Sequence, residues 1–179
     1  MTRPAVPDTV RTALQLTLGA LVFELIALIG TYSVMRGEAL TYARKMAEEP
    51  NGPQDVEQIA TIVAILSLVI AAVVALVLTS GLGWLVWRGI GWARFVLAWI
   101  AAVVAVMLVF DVLGLLFGFS AGDAAAQLPT WAMVPRIIGG VAAMGAAAAL
   151  LHPDTKKFMD QSAAYRRKGS GPQPQGDNR

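Results

Sequence analysis

Between Glu57 and Arg88 the chain runs for thirty residues without a charged side chain. A hydrocarbon core of about 30 Å is crossed by only about 20 apolar helical residues, so this one segment places the chain among integral membrane proteins. Three more apolar runs of spanning length lie at about 12–35, 93–118 and 131–151, and with the run at about 60–86 they predict an all-α polytopic bundle of four transmembrane helices. Composition agrees, with 56% hydrophobic and 15% charged residues in a chain of 179. No internal repeat relates the two halves.

Lys and Arg resist translocation, so their distribution orients the bundle. Residues 1–11 carry two (Arg3, Arg11), the second connection two (Arg88, Arg94) and the segment after the fourth span six, against four on the opposite side (Arg36, Arg44, Lys45, Arg136). Both termini are therefore expected in the cytoplasm of a multi-pass cell (plasma) membrane protein, with the loop at 36–59 outside. Arg3 and Arg11 before an apolar run suggest a signal peptide, but Glu24 interrupts that run and no small-x-small cleavage site follows. Residues 12–35 are read as a retained first span. Within the outer loop, MRGEALTYARKMAEE is able to carry the first helix onward in water; Asn51-Gly52-Pro53 then breaks it, and Asp55 with Gln58 suggests a cap for the second span. Trp84, Trp87 and Trp92 on one side and Trp131 on the other fit interfacial belts. Residues 152–168 form a basic interfacial segment expected to lie on anionic lipid, with Phe158 and Tyr165 toward the bilayer, and 169–179 are expected to be a disordered tail. The basic excess thus points to a lipid bilayer rather than to nucleic acid.

Charges inside the spans are the candidate functional residues, because each is costly there. At helical spacing Glu24 shares a face with Thr17, Ala20, Ala27 and Thr31, a small, polar face suited to helix packing. The second span has such a face at Ala60, Ala64, Ser67, Ala71, Ala75 and Thr79, and the fourth at Arg136, Gly140, Ala143 and Ala147. In the third, Asp111 lies in phase with Gly114 and Gly118, and Gly114, Gly118 and Gly122 repeat the GxxxG spacing. Counted from the outer span ends, Asp111 and Arg136 sit at depths of roughly 10 and 8 Å and are expected to pair, whereas Glu24, at roughly 16 Å, falls beyond the arginine's easy reach. The pair reads as a register clamp or as part of a solute route. An unpartnered Glu24 is expected to be protonated; it is either a neutral group bonded to Thr17, Ser67 or a backbone carbonyl, or a coupling carboxylate.

The sequence contains no Cys and a single His, His152, which excludes thiolate chemistry and an imidazole-rich metal site. No phosphate-cradling loop, HExxH motif or nucleophile elbow is present. Catalytic, cofactor-binding and metal residues are accordingly expected to be none, and the chain is not expected to be an enzyme.

RPAVPDTVRTAL before the first span, RGIGWAR followed by FVLAWIAAVVAV, and ALLHPDTKKF closing the fourth resemble small four-helix membrane proteins of actinobacteria whose function is not established. That resemblance implies an envelope association and supplies no catalytic residues. A weaker, partial likeness is to small multidrug-resistance exporters, which also have four spans and a membrane Glu in the first helix, placed similarly to Glu24; they are shorter, and around Glu24 this chain offers only Phe23 and Tyr32 toward an aromatic box. Two functions follow as expectations. One is a non-enzymatic accessory or interaction protein of the bacterial envelope, working with a membrane partner or as a homodimer. The other is a proton-coupled transporter of small or cationic solutes, working as a homo-oligomer with Glu24 as the coupling group.

Overall fold

A computed structural model describes residues 5–49, 55–117 and 129–169. All regular structure in these residues is helical: α1 Asp8–Gly30, α2 Tyr32–Ala47, α3 Val56–Trp87, α4 Gly91–Phe117, α5 Thr130–Leu151 and α6 Pro153–Gly169. Four of them, α1, α3, α4 and α5, are long and apolar enough to cross a membrane. Connectivity places the start of α1, the α3–α4 turn and the end of α5 at one end of the bundle, called here the terminal end; α2 and the start of α5 lie toward the other, the loop end.

The centre of the fold is three helices, α1, α4 and α5, and it is built from small side chains. Ala20, Ala101 and Ala143 meet where the three converge. Glycines set how close the backbones come. A Cβ on Gly139 would stand 3.2 Å from Phe23 Cβ and 3.4 Å from the Ala20 carbonyl on α1, and one on Gly140 would stand 2.7 Å from Leu108 Cβ on α4. Adjacent glycines thus face different neighbours, and α5 is wedged between α1 and α4. The small faces predicted at Thr17–Ala20–Ala27 and Gly140–Ala143 are buried. In apolar solvent such seams are held by dispersion between closely approaching helices rather than by release of water.

The predicted first span is interrupted. At Thr31 the backbone departs slightly from the helix, with φ −78° and ψ −8°, and the Thr31 hydroxyl donates to the Leu28 carbonyl at 2.7 Å. The chain then resumes as α2, which carries the helix beyond the apolar run and packs along the N-terminal half of α3. Val34, Ala39 and Ala43 on α2, and Ala60 and Ala64 on α3, are buried in this hairpin. Asp55 does occupy the N-cap of α3, but its side chain makes no capping hydrogen bond. The Asn51-Gly52-Pro53 break lies outside the described residues, as do Gly118 and Gly122. Gly114 is half-buried on α4 in phase with Asp111.

α6 corrects a second expectation. Phe158 does not face lipid: Phe158 and Met159 are 2% and 4% exposed and pack with Val10, Val86, Ala93, Leu97 and Leu150 at the terminal end. Thr155 is buried too, and its hydroxyl donates to the Ala149 carbonyl at 2.9 Å. Arg166 donates to the carbonyls of Arg88 and Gly89 at 3.0 and 2.9 Å, occupying acceptors that the end of α3 leaves free. Gly89 has φ +76°, and a Cβ there would lie 2.5 Å from Ser162. Only glycine suits both the left-handed backbone and the close approach of α6. The basic segment is therefore a folded cap on the bundle, with Lys156, Lys157, Arg166 and Arg167 on its exposed side.

Candidate functional site

Glu24, Asp111 and Arg136 come from α1, α4 and α5, the three helices of the close-packed centre. Arg136 Nε lies 2.6 Å from Asp111 Oδ2, and the two side chains are 30% and 20% exposed. The predicted pair is formed. Its geometry is that of an ion contact rather than an aligned hydrogen bond, because the buried Oδ2 receives no hydrogen bond. Gly140, one turn after Arg136, admits Leu108, one turn before Asp111, and so brings the two helices close enough for the charges to meet.

Glu24 is half-buried. Its Oε1 would be 3.5 Å from a Cβ on Gly139, which places the carboxyl against α5 where that helix has no side chain. Gly139 follows Arg136 by one turn of α5, so the carboxyl lies near the Asp111–Arg136 pair, on its terminal-end side. Glu24, expected to fall beyond the arginine's easy reach, forms no ion pair with Arg136 among the described residues. The direct ion pair among the described residues of the cluster is Asp111–Arg136, with Glu24 beside it.

The two side chains suggested as hydrogen-bond partners for Glu24 are engaged or elsewhere. The Thr17 hydroxyl donates to the Ala13 carbonyl at 2.8 Å, and Ser67 is exposed on α3. Two acids thus share one base, and the cluster is one positive charge short of neutrality if every group is ionised. Such an arrangement is able either to fix helix register or to hold a mobile proton or cation.

The tryptophans are exposed as anchors would be: Trp84, Trp87 and Trp92 at the terminal end and Trp131 at the loop end are 42–59% exposed. The Arg88 guanidinium stacks 4.1 Å from the centroid of the Trp84 ring. A charged residue that orientation counting treated only as a surface cation is in fact interior. Arg94 is 6% exposed, in phase with buried Leu97, Ala98 and Ala101. The signal was available, since residues 94, 97, 98 and 101 share a helix face with apolar and small neighbours.

Among the described residues no group of three or more His, Cys, Asp or Glu is arranged to hold a metal. The chain matches no protein-family model, no curated protein and no solved structure.

Proposed function

We propose that this is a non-enzymatic, multi-pass protein of the bacterial cell membrane that docks onto other envelope components through α2 and the adjoining face of α3. The observation that carries this reading is a mismatch of lengths. α3 has 32 residues, about 48 Å of helix, whereas α1 leaves its apolar run at Thr31. The hydrogen bond from Arg36 Nε to the Thr61 hydroxyl, at 3.3 Å, sets the register between α2 and α3. Ile62, Val63 and Leu66 therefore stand near the level of a charged residue, yet they are 55%, 46% and 55% exposed. Apolar surface at the outer end of a span longer than the hydrocarbon core requires is costly wherever water reaches it and favours coverage by a protein. An open groove of about 680 Å³ beside it, lined by Arg36, Asp55, Glu57, Gln58 and Thr61, adds polar groups for specificity. The resemblance to actinobacterial envelope proteins and the basic excess at the terminal end support a location in the plasma membrane with both termini cytoplasmic.

A photo-crosslinking residue at Ile62, in cells expressing the protein at native level, tests the reading. A discrete protein adduct is expected at Ile62 and not at the lipid-facing Val141 of α5; lipid adducts alone at both positions would refute it. In the same cells Glu24→Gln is expected to leave the phenotype intact, while Ile62→Asp is expected to remove it.

A second reading rests on Glu24 itself, a half-buried acid beside a charge pair that it does not directly join. As a proton-coupled exporter the protein would cycle Glu24 between proton and cationic solute across a homo-oligomer interface. Solute-driven proton release in liposomes, abolished by Glu24→Gln in correctly folded protein, would favour this reading over the first.

A further inference from the structure

Toward the terminal end an open groove of about 290 Å³ runs between α1 and α3, walled by Leu14, Leu18 and Leu21 on one side and by Ser80, Gly83 and Trp84 on the other. It exists because α3 sets small residues against the leucines of α1 and leaves the space between them unfilled. Its walls are apolar even at Thr17, whose hydroxyl is spent on the Ala13 carbonyl at 2.8 Å. Leu18 and Trp84 are 60% and 54% exposed, so the groove opens on the outer face of the bundle, where acyl chains lie. Leu14 to Leu21 covers about 10 Å of helix, a large part of the roughly 15 Å that one leaflet contributes to the hydrocarbon core. Unfilled walls forfeit dispersion contacts that a flexible hydrocarbon chain supplies.

The charges beyond its terminal end are all positive. Arg88 follows Trp87, the last α3 residue of the lining, and its guanidinium lies 4.1 Å from the centroid of the Trp84 ring in the groove wall. On α1, exposed Arg11 continues the Leu14–Leu18–Leu21 stripe one turn further. Arg166 adds a third guanidinium at the same corner, donating to the Arg88 carbonyl at 3.0 Å. Among the described residues no acid forms an ion pair with Arg11 or Arg88. Asp8, the acid nearest to Arg11 in sequence, lines a different groove, against Asp154 and Lys157 of α6. An apolar slot that ends at unpaired arginines matches an amphiphile with an anionic head, and the guanidinium fork suits phosphate.

We propose that the α1–α3 groove holds one acyl chain of an anionic phospholipid whose phosphate is met by Arg11 and Arg88. This is a specific site, distinct from the diffuse attraction of the exposed basic side of α6. It does not depend on the docking function proposed above, which uses the opposite end of α3.

Native mass spectrometry of the full chain, stripped of lipid in mild detergent, tests it by titration with phosphatidylglycerol and with phosphatidylcholine of the same acyl chains. The unaltered protein is expected to take up one phosphatidylglycerol per chain about tenfold more tightly than phosphatidylcholine, the scale that interfacial arginines give an anionic lipid. Arg11→Gln with Arg88→Gln should bring phosphatidylglycerol to the phosphatidylcholine level and leave phosphatidylcholine unchanged. Ser80→Phe, which fills the groove from an exposed position, should weaken the first binding event for both lipids. Lys156→Gln with Lys157→Gln, which removes two exposed charges of α6 at the same end, should alter neither. All the substituted positions are exposed, and helical circular dichroism confirms that each variant is folded. Equal affinity for the two lipids, phosphatidylglycerol binding unchanged by the double arginine variant or by Ser80→Phe, an equal loss in the double lysine variant, or displacement of the lipid by inorganic phosphate alone would overturn the proposal.

Discussion

A methyl group added at Gly140 would stand 2.7 Å from Leu108 Cβ, whereas one added at Gly19 meets nothing within 4 Å. Gly140→Ala is therefore expected to lower stability by about 1–3 kcal/mol, as overpacking does, and Gly19→Ala to raise it by about 0.4–1 kcal/mol through the unfolded chain. Thermal unfolding of both variants in the same detergent measures the contrast. The Asp111–Arg136 pair gives a second test. Asp111→Asn and Arg136→Gln each strand a charge and should each destabilise, by less than the roughly 3–5 kcal/mol of a fully buried pair; the double variant should recover part of the loss. At this scale the sequence was partly legible. Asp111 and Arg136 were found because two opposite charges at similar depth in apolar helices have few other partners. Glu24 was placed on a face that packs against α5, and Arg94 was missed because charge counting assigns a residue to a side of the membrane without asking which way it points.

Helices were legible where apolar runs define them and less so where tertiary contact does. The four spans follow from hydropathy and length. The docking of α6 does not, because its mean composition is polar and the decisive groups are Phe158, Met159 and Thr155, three residues on one face. Arg166 then ties the far end of α6 to the α3–α4 turn. Gly89→Ala, which forces a side chain into left-handed backbone and against Ser162, is expected to unseat this cap. Limited trypsin digestion should then cut at Arg166 or Arg167 well before it does in the unaltered protein, and an unchanged digestion rate would show that α6 is held by Phe158 and Met159 alone. The break at Thr31 was invisible for a related reason: the helix predicted to continue past residue 35 does continue, and one hydroxyl bonded back to Leu28 is enough to divide it.

For the whole molecule, the charge asymmetry predicts that α2 and α6 lie on opposite sides of the membrane, with α6 in the cytoplasm. The absence of Cys makes this directly measurable. A single cysteine at exposed Glu48 should react with an impermeant maleimide in intact cells, and one at exposed Asp154 only after permeabilisation; the reverse pattern would invert the orientation. The unequal lengths of α1 and α3 carry a further consequence. A bundle whose second span has about ten more uncharged residues than a 30 Å core requires has no single preferred bilayer. In a thick membrane, acyl chains rise over Ile62, Val63 and Leu66; in a thin one they withdraw, and the same side chains are left bare. Lipid and any protein that uses this face are then competitors for it, and the thickness of the surrounding bilayer sets which of them wins.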